Sequence, residues 1–300
     1  MSAGTFETGL VVAGHGRHYI VELPDGRRLT CHPRGKKSDC VVGDRVRWQT
    51  TGDEGVIERV EPRRNLLFRQ DEWKTKSFAA NLGQLLVLVA AEPVFGESQL
   101  ARALIAAESA GIPSRIVLNK SDLPAIAAAR ERLRPYAAMG VEVIEVALKA
   151  RPDDARALLM PLLANVATLV LGPSGTGKST LINLLAPDAK AQIGEISQAL
   201  NSGRHTTTST QWYWLDPATR HTALIDSPGF QEFGLRQIDA QGLALLMPDL
   251  RRFAADCRFY NCTHQHEPGC GVRAALERGE INESRYRIYG EIRGELVQRR

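Results

Sequence analysis

Between residues 4 and 70 apolar and polar positions alternate in short runs: Leu10 to Ala13, His18 to Leu23, Leu29 to His32, Arg45 to Gln49 and Val56 to Val60. A period of two over so few residues marks half-buried strands. Asp25-Gly26 between the second and third runs is a hairpin signal. Five such strands predict a small all-β barrel. Asn65 to Ala79 follows as an irregular connector. The pattern then changes to apolar runs alternating with helical stretches: strand Leu85 to Ala90, helix Ser98 to Ala110, strand Arg115 to Leu118, helix Ala125 to Ala138, strand Glu142 to Val146, helix Asp154 to Ala164 and a strand from Thr168 to Leu171. That alternation predicts an α/β unit with a mostly parallel sheet, and Gly111 and Gly140 stop the first two helices. Gln211 to Leu215 and Thr222 to Ile225, joined through Asp216-Pro217, predict an antiparallel hairpin at one sheet edge. Two helices close the chain, Val272 to Arg278 and Asn282 to Val297. In the second, Tyr286, Tyr289, Ile292 and Leu296 form one apolar stripe, and Arg285, Arg287 and Arg293 lie opposite it, facing phosphates or water. The chain thus divides into an all-β domain (1–70), an α/β domain (71–235) and a small α-helical domain (236–300).

Composition fits this division, because 300 residues with 43% hydrophobic content can bury two or three cores. The longest apolar run, Leu85 to Ala91, is too short to span a membrane, and the first residues show no charged-then-apolar leader pattern. A soluble cytoplasmic protein without membrane contact is expected. The net charge of +4 demands no nucleic-acid partner by itself. Its distribution is more informative: Arg27, Arg28, Arg34, Lys36 and Lys37 occur with no acid between them, and Arg63 and Arg64 follow. These cations either face RNA or solvate strand edges. Tyr19 and Trp48 are either base-stacking rings or core.

Three motifs carry the chemistry. Gly172-Pro173-Ser174-Gly175-Thr176-Gly177-Lys178-Ser179-Thr180 has the full Walker A spacing and sits at a strand-to-helix turn, where backbone N–H groups cradle phosphates. Lys178 reaches the β- and γ-phosphates, and the Ser179 hydroxyl holds magnesium. Asn119-Lys120-Ser121-Asp122 follows a strand, and the Asp122 carboxylate can accept two hydrogens from guanine N1 and N2, a pair adenine does not offer. Asp226-Ser227-Pro228-Gly229 ends another strand, placing Asp226 near the magnesium and the Gly229 N–H near a γ-phosphate. An ordinary small GTPase meets the phosphate loop first. Here Asn119 to Asp122 precedes it, so the chain reads as a circularly permuted GTPase.

Gly203-Arg204-His205-Thr206-Thr207-Thr208 lies in a polar stretch suited to a switch ordered by γ-phosphate and magnesium. One threonine completes the magnesium shell, Thr207 being taken ahead of Thr206, and Arg204 contacts a phosphate. Phe230 occupies the place where Ras-like enzymes carry a water-orienting Gln. His205 is the candidate catalytic group in its stead, positioning or deprotonating the water, the alternative being a solvated or phosphate-contacting side chain.

Three of the five cysteines cluster, with spacing C-x4-C-x-H-x5-C across Cys257, Cys262, His264 and Cys270. Three thiolates and one imidazole make a closed, structural zinc shell, and an odd cluster cannot pair evenly into disulfides. His266 competes with His264 for the fourth place.

These motifs, their permuted order, the Gly-Arg-His-Thr-Thr-Thr switch and Phe230 together resemble the small-ribosomal-subunit-dependent GTPase A (RsgA) family, permuted GTPases that act late in bacterial small-subunit maturation. The likeness covers nearly the whole chain. It implies an amino-terminal OB-fold barrel, a central permuted P-loop GTPase and a carboxy-terminal zinc-binding helical domain, and it favours His264 as the zinc ligand. One departure concerns the loop that closes over the guanine. It reads Val146-Ala147-Leu148-Lys149 where the family usually has a Ser-Ala pair, leaving a backbone N–H of Ala147 or Leu148 to serve the base. The activity implied is hydrolysis of GTP to GDP by in-line water attack, slow alone and stimulated by the small ribosomal subunit, whose rRNA would meet the barrel and the zinc domain. A monomer is expected. The alternative is a nucleotide-switched RNA-binding module with little turnover, and Asn119 and Asp122 argue against an ATPase.

Overall fold

Alternating burial builds the first unit of the computed structural model, which describes residues 6–35, 39–51, 54–70, 75–187, 189, 210–227 and 235–298. Strands β1 (Glu7–His15), β2 (His18–Glu22), β3 (Arg28–Pro33), β4 (Arg45–Thr51) and β5 (Glu54–Val60) pair in the order 1-2-3-5-4, and β4 returns to β1 to close a barrel. Closure leaves no open edge. Val11, Val21, Cys31, Val46 and Ile57 fill it together with Tyr19 and Trp48, the latter 2% exposed. Both rings are therefore core and do not offer a stacking face. The basic cluster is also partly spoken for: Arg27 pairs with Asp25, Arg28 with Glu22, Arg34 with Glu58, and Arg63 with the fully buried Asp44. Lys36 and Lys37 lie outside the described residues.

The expected connector is instead a second pair of strands, β6 (Leu66–Gln70) and β7 (Thr75–Ala80), running antiparallel. Its apolar anchors, Leu67, Phe78, Ala79 and Ala80, are buried. They stand at the ends of the two strands where Leu66 and Leu67 pair with Ala80 and Ala79, and the sequence from Arg69 to Ser77, polar but for Trp73, hides the alternation from a sequence pattern.

The α/β unit follows the predicted order: β8 (Gln84–Ala90), α1 (Glu97–Ser109), β9 (Ser114–Asn119), α2 (Ile126–Ala138), β10 (Glu142–Glu145), α3 (Pro152–Leu163), β11 (Ala167–Leu171), α4 (Lys178–Leu185), β12 (Gln211–Trp214) and β13 (Ala223–Asp226). Across the sheet these strands lie 10-9-8-11-13-12, parallel except for the antiparallel β12–β13 pair. Every residue of β8 is buried, as a central parallel strand covered on both faces requires. Leu85, Val87 and Val89 enter one core, Leu86 and Leu88 the other.

One expectation is corrected. The β12–β13 hairpin is not at an edge, because β12 pairs onward with β1 through Ala13 and Gln211, so the barrel and the parallel strands form one eleven-stranded sheet. The seam is polar as well. Trp214 Nε1 donates to Glu22 Oε1 at 2.6 Å, and Arg220 Nη1 donates to the carbonyls of Leu23 and Pro24 at 3.3 and 3.1 Å.

A 3-10 turn (Leu243–Leu246) leads to α5 (Pro248–Ala254), α6 (Gly271–Glu277) and α7 (Glu283–Gln298). Arg285 of α7 is not on an outward face. It is 2% exposed, its Nε lies 2.8 Å from Asp249 Oδ2, and its guanidinium stacks 4.9 Å above the Tyr136 ring of α2. Arg287 alone of the three arginines is exposed. A guanidinium lies within the helical-domain interface because Asp249 neutralises it and a ring face receives it. No helix among the described residues is long and apolar enough to cross a membrane.

Removing one partner of a buried ion pair leaves an uncompensated charge, so Asp249→Ala should destabilise the chain by about 3–5 kcal/mol. Arg285→Met combined with Asp249→Leu should recover most of that loss; denaturant midpoints check the difference. A double variant no more stable than Asp249→Ala would contradict it.

Candidate functional site

The direction of chain progression across the sheet reverses at β8, with β9 and β10 to one side and β11, β13 and β12 to the other. Open α/β sheets place ligands outside the strand carboxyl ends at such a switch point. Two loops meet there. The first joins β11 to α4, and its glycines are required by backbone and space. Gly175 and Gly177 have φ of +81° and +102°, a region costly for other residues. A Cβ at Gly177 would lie 2.4 Å from Asn119 Nδ2, and one at Gly172 would lie 2.6 Å from the Leu88 carbonyl. Gly177 supplies the N-cap of α4 with no side-chain hydrogen bond, so the first-turn N–H groups remain free to meet an anion.

The second loop follows β9. Asn119, 4% exposed, donates from Nδ2 to the Thr176 carbonyl at 2.8 Å and accepts at Oδ1 from the Leu148 N–H at 3.1 Å. One amide thus ties the early motif to the phosphate loop and to the loop after β10. Of the two backbone groups considered for the base, the Leu148 N–H is therefore engaged by Asn119, and the Ala147 N–H is the remaining candidate. Lys120 has φ of +60°, Ser121 N–H bonds the Val146 carbonyl at 3.0 Å, and Asp122 is exposed on the turn. Thr176, fully buried, closes its own loop through a 2.8 Å bond to the Pro173 carbonyl. Ser174 and Ser179 are exposed, and Pro173 and Thr180 are half-buried.

The phosphate-loop lysine and the third motif also meet. Lys178 Nζ lies 2.5 Å from Asp226 Oδ1 and 2.6 Å from the Ser227 carbonyl, with the two charged side chains only 12% and 8% exposed. Ser227, the wildcard of its motif, is buried and anchors that strand end by donating to the Val170 carbonyl at 2.8 Å. The motif pattern alone gave it no role. Burial, and then the Asp226 carboxylate, push the Tyr213 hydroxyl's pKa up, so this phenol stays neutral. Arg204, His205, Thr206, Thr207, Gly229 and Phe230 lie outside the described residues.

The second cluster is in the helical domain. Cys257, Cys262, His264 and Cys270 bring their ligand atoms within 4.8 Å of one another. Cys257 Sγ lies 3.9 Å from Cys270 Sγ, and His264 Nδ1 lies 3.4 and 3.5 Å from those sulfurs. Sulfurs on a tetrahedral zinc at about 2.3 Å stand about 3.8 Å apart, so the four donors fit a zinc ion. None of the cysteines is in a disulfide. Burial pushes the Cys262 thiol up to about 12, so a cation is needed to hold it as thiolate at neutral pH. Burial likewise lowers the His264 pKa and keeps its imidazole neutral. His266 is exposed and is not among the four. Outer partners hold the ligands in place: the Arg273 N–H donates to Cys270 Sγ, and Tyr286 and Tyr289 donate their hydroxyls to the carbonyls of His264 and Thr263 at 2.6 and 2.8 Å. The apolar stripe of α7 is thus packing that also braces the cluster.

The RsgA GTPase family model matches residues 60–236. A small ribosomal subunit biogenesis GTPase RsgA of Variovorax paradoxus (strain S110) is 62% identical over 304 residues, covering 100% of this chain and 95% of the relative. That of Burkholderia pseudomallei (strain K96243) is 54% identical over 293 residues, covering 97% and 92%. Among solved structures, YjeQ from Thermotoga maritima is similar with a TM-score of 0.72 and 30% identity, over 99% of this chain and 100% of that one. The circularly permuted GTPase YloQ gives 0.71 and 25% over 99% and 96%.

Purified chain should carry one zinc per molecule by elemental analysis, and a strong chelator should unfold the helical domain while leaving nucleotide binding in place. Cys262→Ser should lower zinc content and the domain's melting temperature together. Full zinc-free stability would contradict the structural role.

Proposed function

The chain belongs to the RsgA GTPase family, and from that premise we propose that it hydrolyses GTP in the maturation of the small ribosomal subunit, with turnover stimulated by that subunit. The observation that supports this reading best is the junction at Asn119, which ties the turn after β9 to the glycine-lysine loop before α4 although they come from opposite halves of the unit 71–235. We divide the chain into an OB-type barrel (1–70), the permuted GTPase (71–235) and a zinc domain (236–300), the first and last meeting rRNA. GTP and GDP are the nucleotides, and the working form is a cytoplasmic monomer.

In this reading Asp122 accepts from guanine N1 and N2, Asn119 and Lys120 shape the base pocket, and the Ala147 N–H meets the base edge. Gly172 to Thr180 cradle the phosphates through backbone N–H groups. Lys178 exchanges the Asp226 carboxylate for phosphate oxygens, which frees Asp226 to join Ser179 and Thr207 in holding magnesium. That ion, when bound, neutralises charge on the phosphates. The Gly229 N–H and Lys178 stabilise charge developing on the γ-phosphate, and His205 orients the attacking water. With no Gln at Phe230 to align that water, the switch depends on an outside surface to order it, which is why the subunit is assigned the stimulating role.

Asp122→Asn replaces a carboxylate acceptor with an amide that can pair with a second carbonyl, so GTP affinity should fall about a hundredfold and xanthosine triphosphate should bind better than GTP. Phosphate release from GTP by the unaltered chain should rise with added small subunits. Unchanged base preference would contradict the guanine pocket, and release at background with or without subunits would favour a binding module over a hydrolase.

A further inference from the structure

Cys257 and Cys262, two donors of the metal cluster, are joined by Arg258-Phe259-Tyr260-Asn261, all four of them exposed. Tyr260 is fully exposed and Phe259 is 40% exposed, although a fold gains nothing from rings left in water. Isolated exposed aromatics are common. This loop differs in what surrounds them. The Arg258 guanidinium lies 5.5 Å over the Phe259 ring, and on the adjoining α5 the Arg252 guanidinium lies 5.4 Å over Phe253. The Arg258 stem is fixed from below: its N–H bonds the Gly269 carbonyl at 3.0 Å, and a Cβ on Gly269 would lie 3.1 Å from Arg258 Cβ. The Cys262 N–H closes the turn on the Phe259 carbonyl at 3.2 Å. Two metal donors and these backbone bonds hold the loop, so little ordering entropy remains to be lost on binding.

Exposed rings on a held backbone beside cations, with no aliphatic and no acidic residue in the loop, suit one partner chemistry above others. A lipid surface calls for the broad apolar face of an amphipathic helix, which a four-residue loop does not present. Unpaired nucleobases stack on exposed aromatic faces while arginines meet the adjacent phosphates. We propose that Arg258-Phe259-Tyr260-Asn261 is a stacking platform for an unpaired base of RNA, with Tyr260 taking the base and Arg258 the neighbouring phosphate. The inference rests on the ribosomal reading above for the source of that RNA. Its chemistry rests on the loop alone.

The test uses the full zinc-loaded chain and a labelled single-stranded oligoribonucleotide, read by fluorescence anisotropy at two salt concentrations. Tyr260→Ala should weaken binding about tenfold, by a similar factor at both concentrations. Tyr260→Phe keeps the ring and should bind within about twofold of the unaltered chain. Arg258→Ala should reduce the salt slope by about one. Zinc content and GTP affinity, unchanged in all three, show that the fold is intact. Tyr260→Ala binding RNA as well as the unaltered chain overturns the proposal. So does a variant that loses affinity for the intact subunit while keeping it for RNA, since that would make Tyr260 a protein contact. If the unaltered chain binds the oligoribonucleotide through Tyr260 but never the subunit, the ribosomal reading fails and the stacking platform stands.

Discussion

Two hydrogen bonds from the Asn119 amide hold three loops of this chain in one crevice. The amide is buried, so each bond it makes also removes an unsatisfied backbone group, a penalty of about 1–3 kcal/mol where it is left unmade. Gly177 has no Cβ because Asn119 Nδ2 occupies that place, and Leu148 turns its N–H inward for the same reason. Chain order is irrelevant to such a contact. What matters is that β9 and β11 flank β8 in the sheet, whichever is synthesised first.

Two further polar junctions attach the outer units. The barrel shares a sheet with the central strands through β1 and β12, and Glu22 accepts from Trp214 across that seam. β12 in turn pairs with β13, the strand that ends at Asp226, the partner of Lys178. On the other side, Arg285 joins α7 to Asp249 and to the Tyr136 face. These polar contacts sit within one continuous apolar core that takes in Val12 and Ile20 of the barrel, Leu85 and Ile105 of the α/β unit and Leu250 and Ile292 of the helical unit, and each polar contact depends on its partner being present.

Much of this was legible in sequence because local chemistry dictated it. The glycine-lysine loop, the carboxylate turn, the four metal donors and the five barrel strands each carry a spacing that few other structures demand. What escaped was tertiary in origin. The apolar anchors of β6 and β7 are confined to Leu66, Leu67 and Phe78 to Ala80, and the sequence between them is mostly polar, so no period of two stands out. Arg285 shares the helical face of Ile288, Tyr289 and Ile292, so it was its charge, with Asp249 and Tyr136 supplied by other elements, that suggested solvent. The partition of Tyr19 and Trp48 to the core depended on barrel closure, and the β1–β12 seam on two strands about two hundred residues apart.

Amide hydrogen exchange with and without GDP tests the shared crevice most directly. The account predicts that GDP slows exchange in three separate segments at once: the turn 119–122, the loop 146–148 and the phosphate loop 172–180. Protection confined to 172–180, with the earlier segments unchanged, would contradict it.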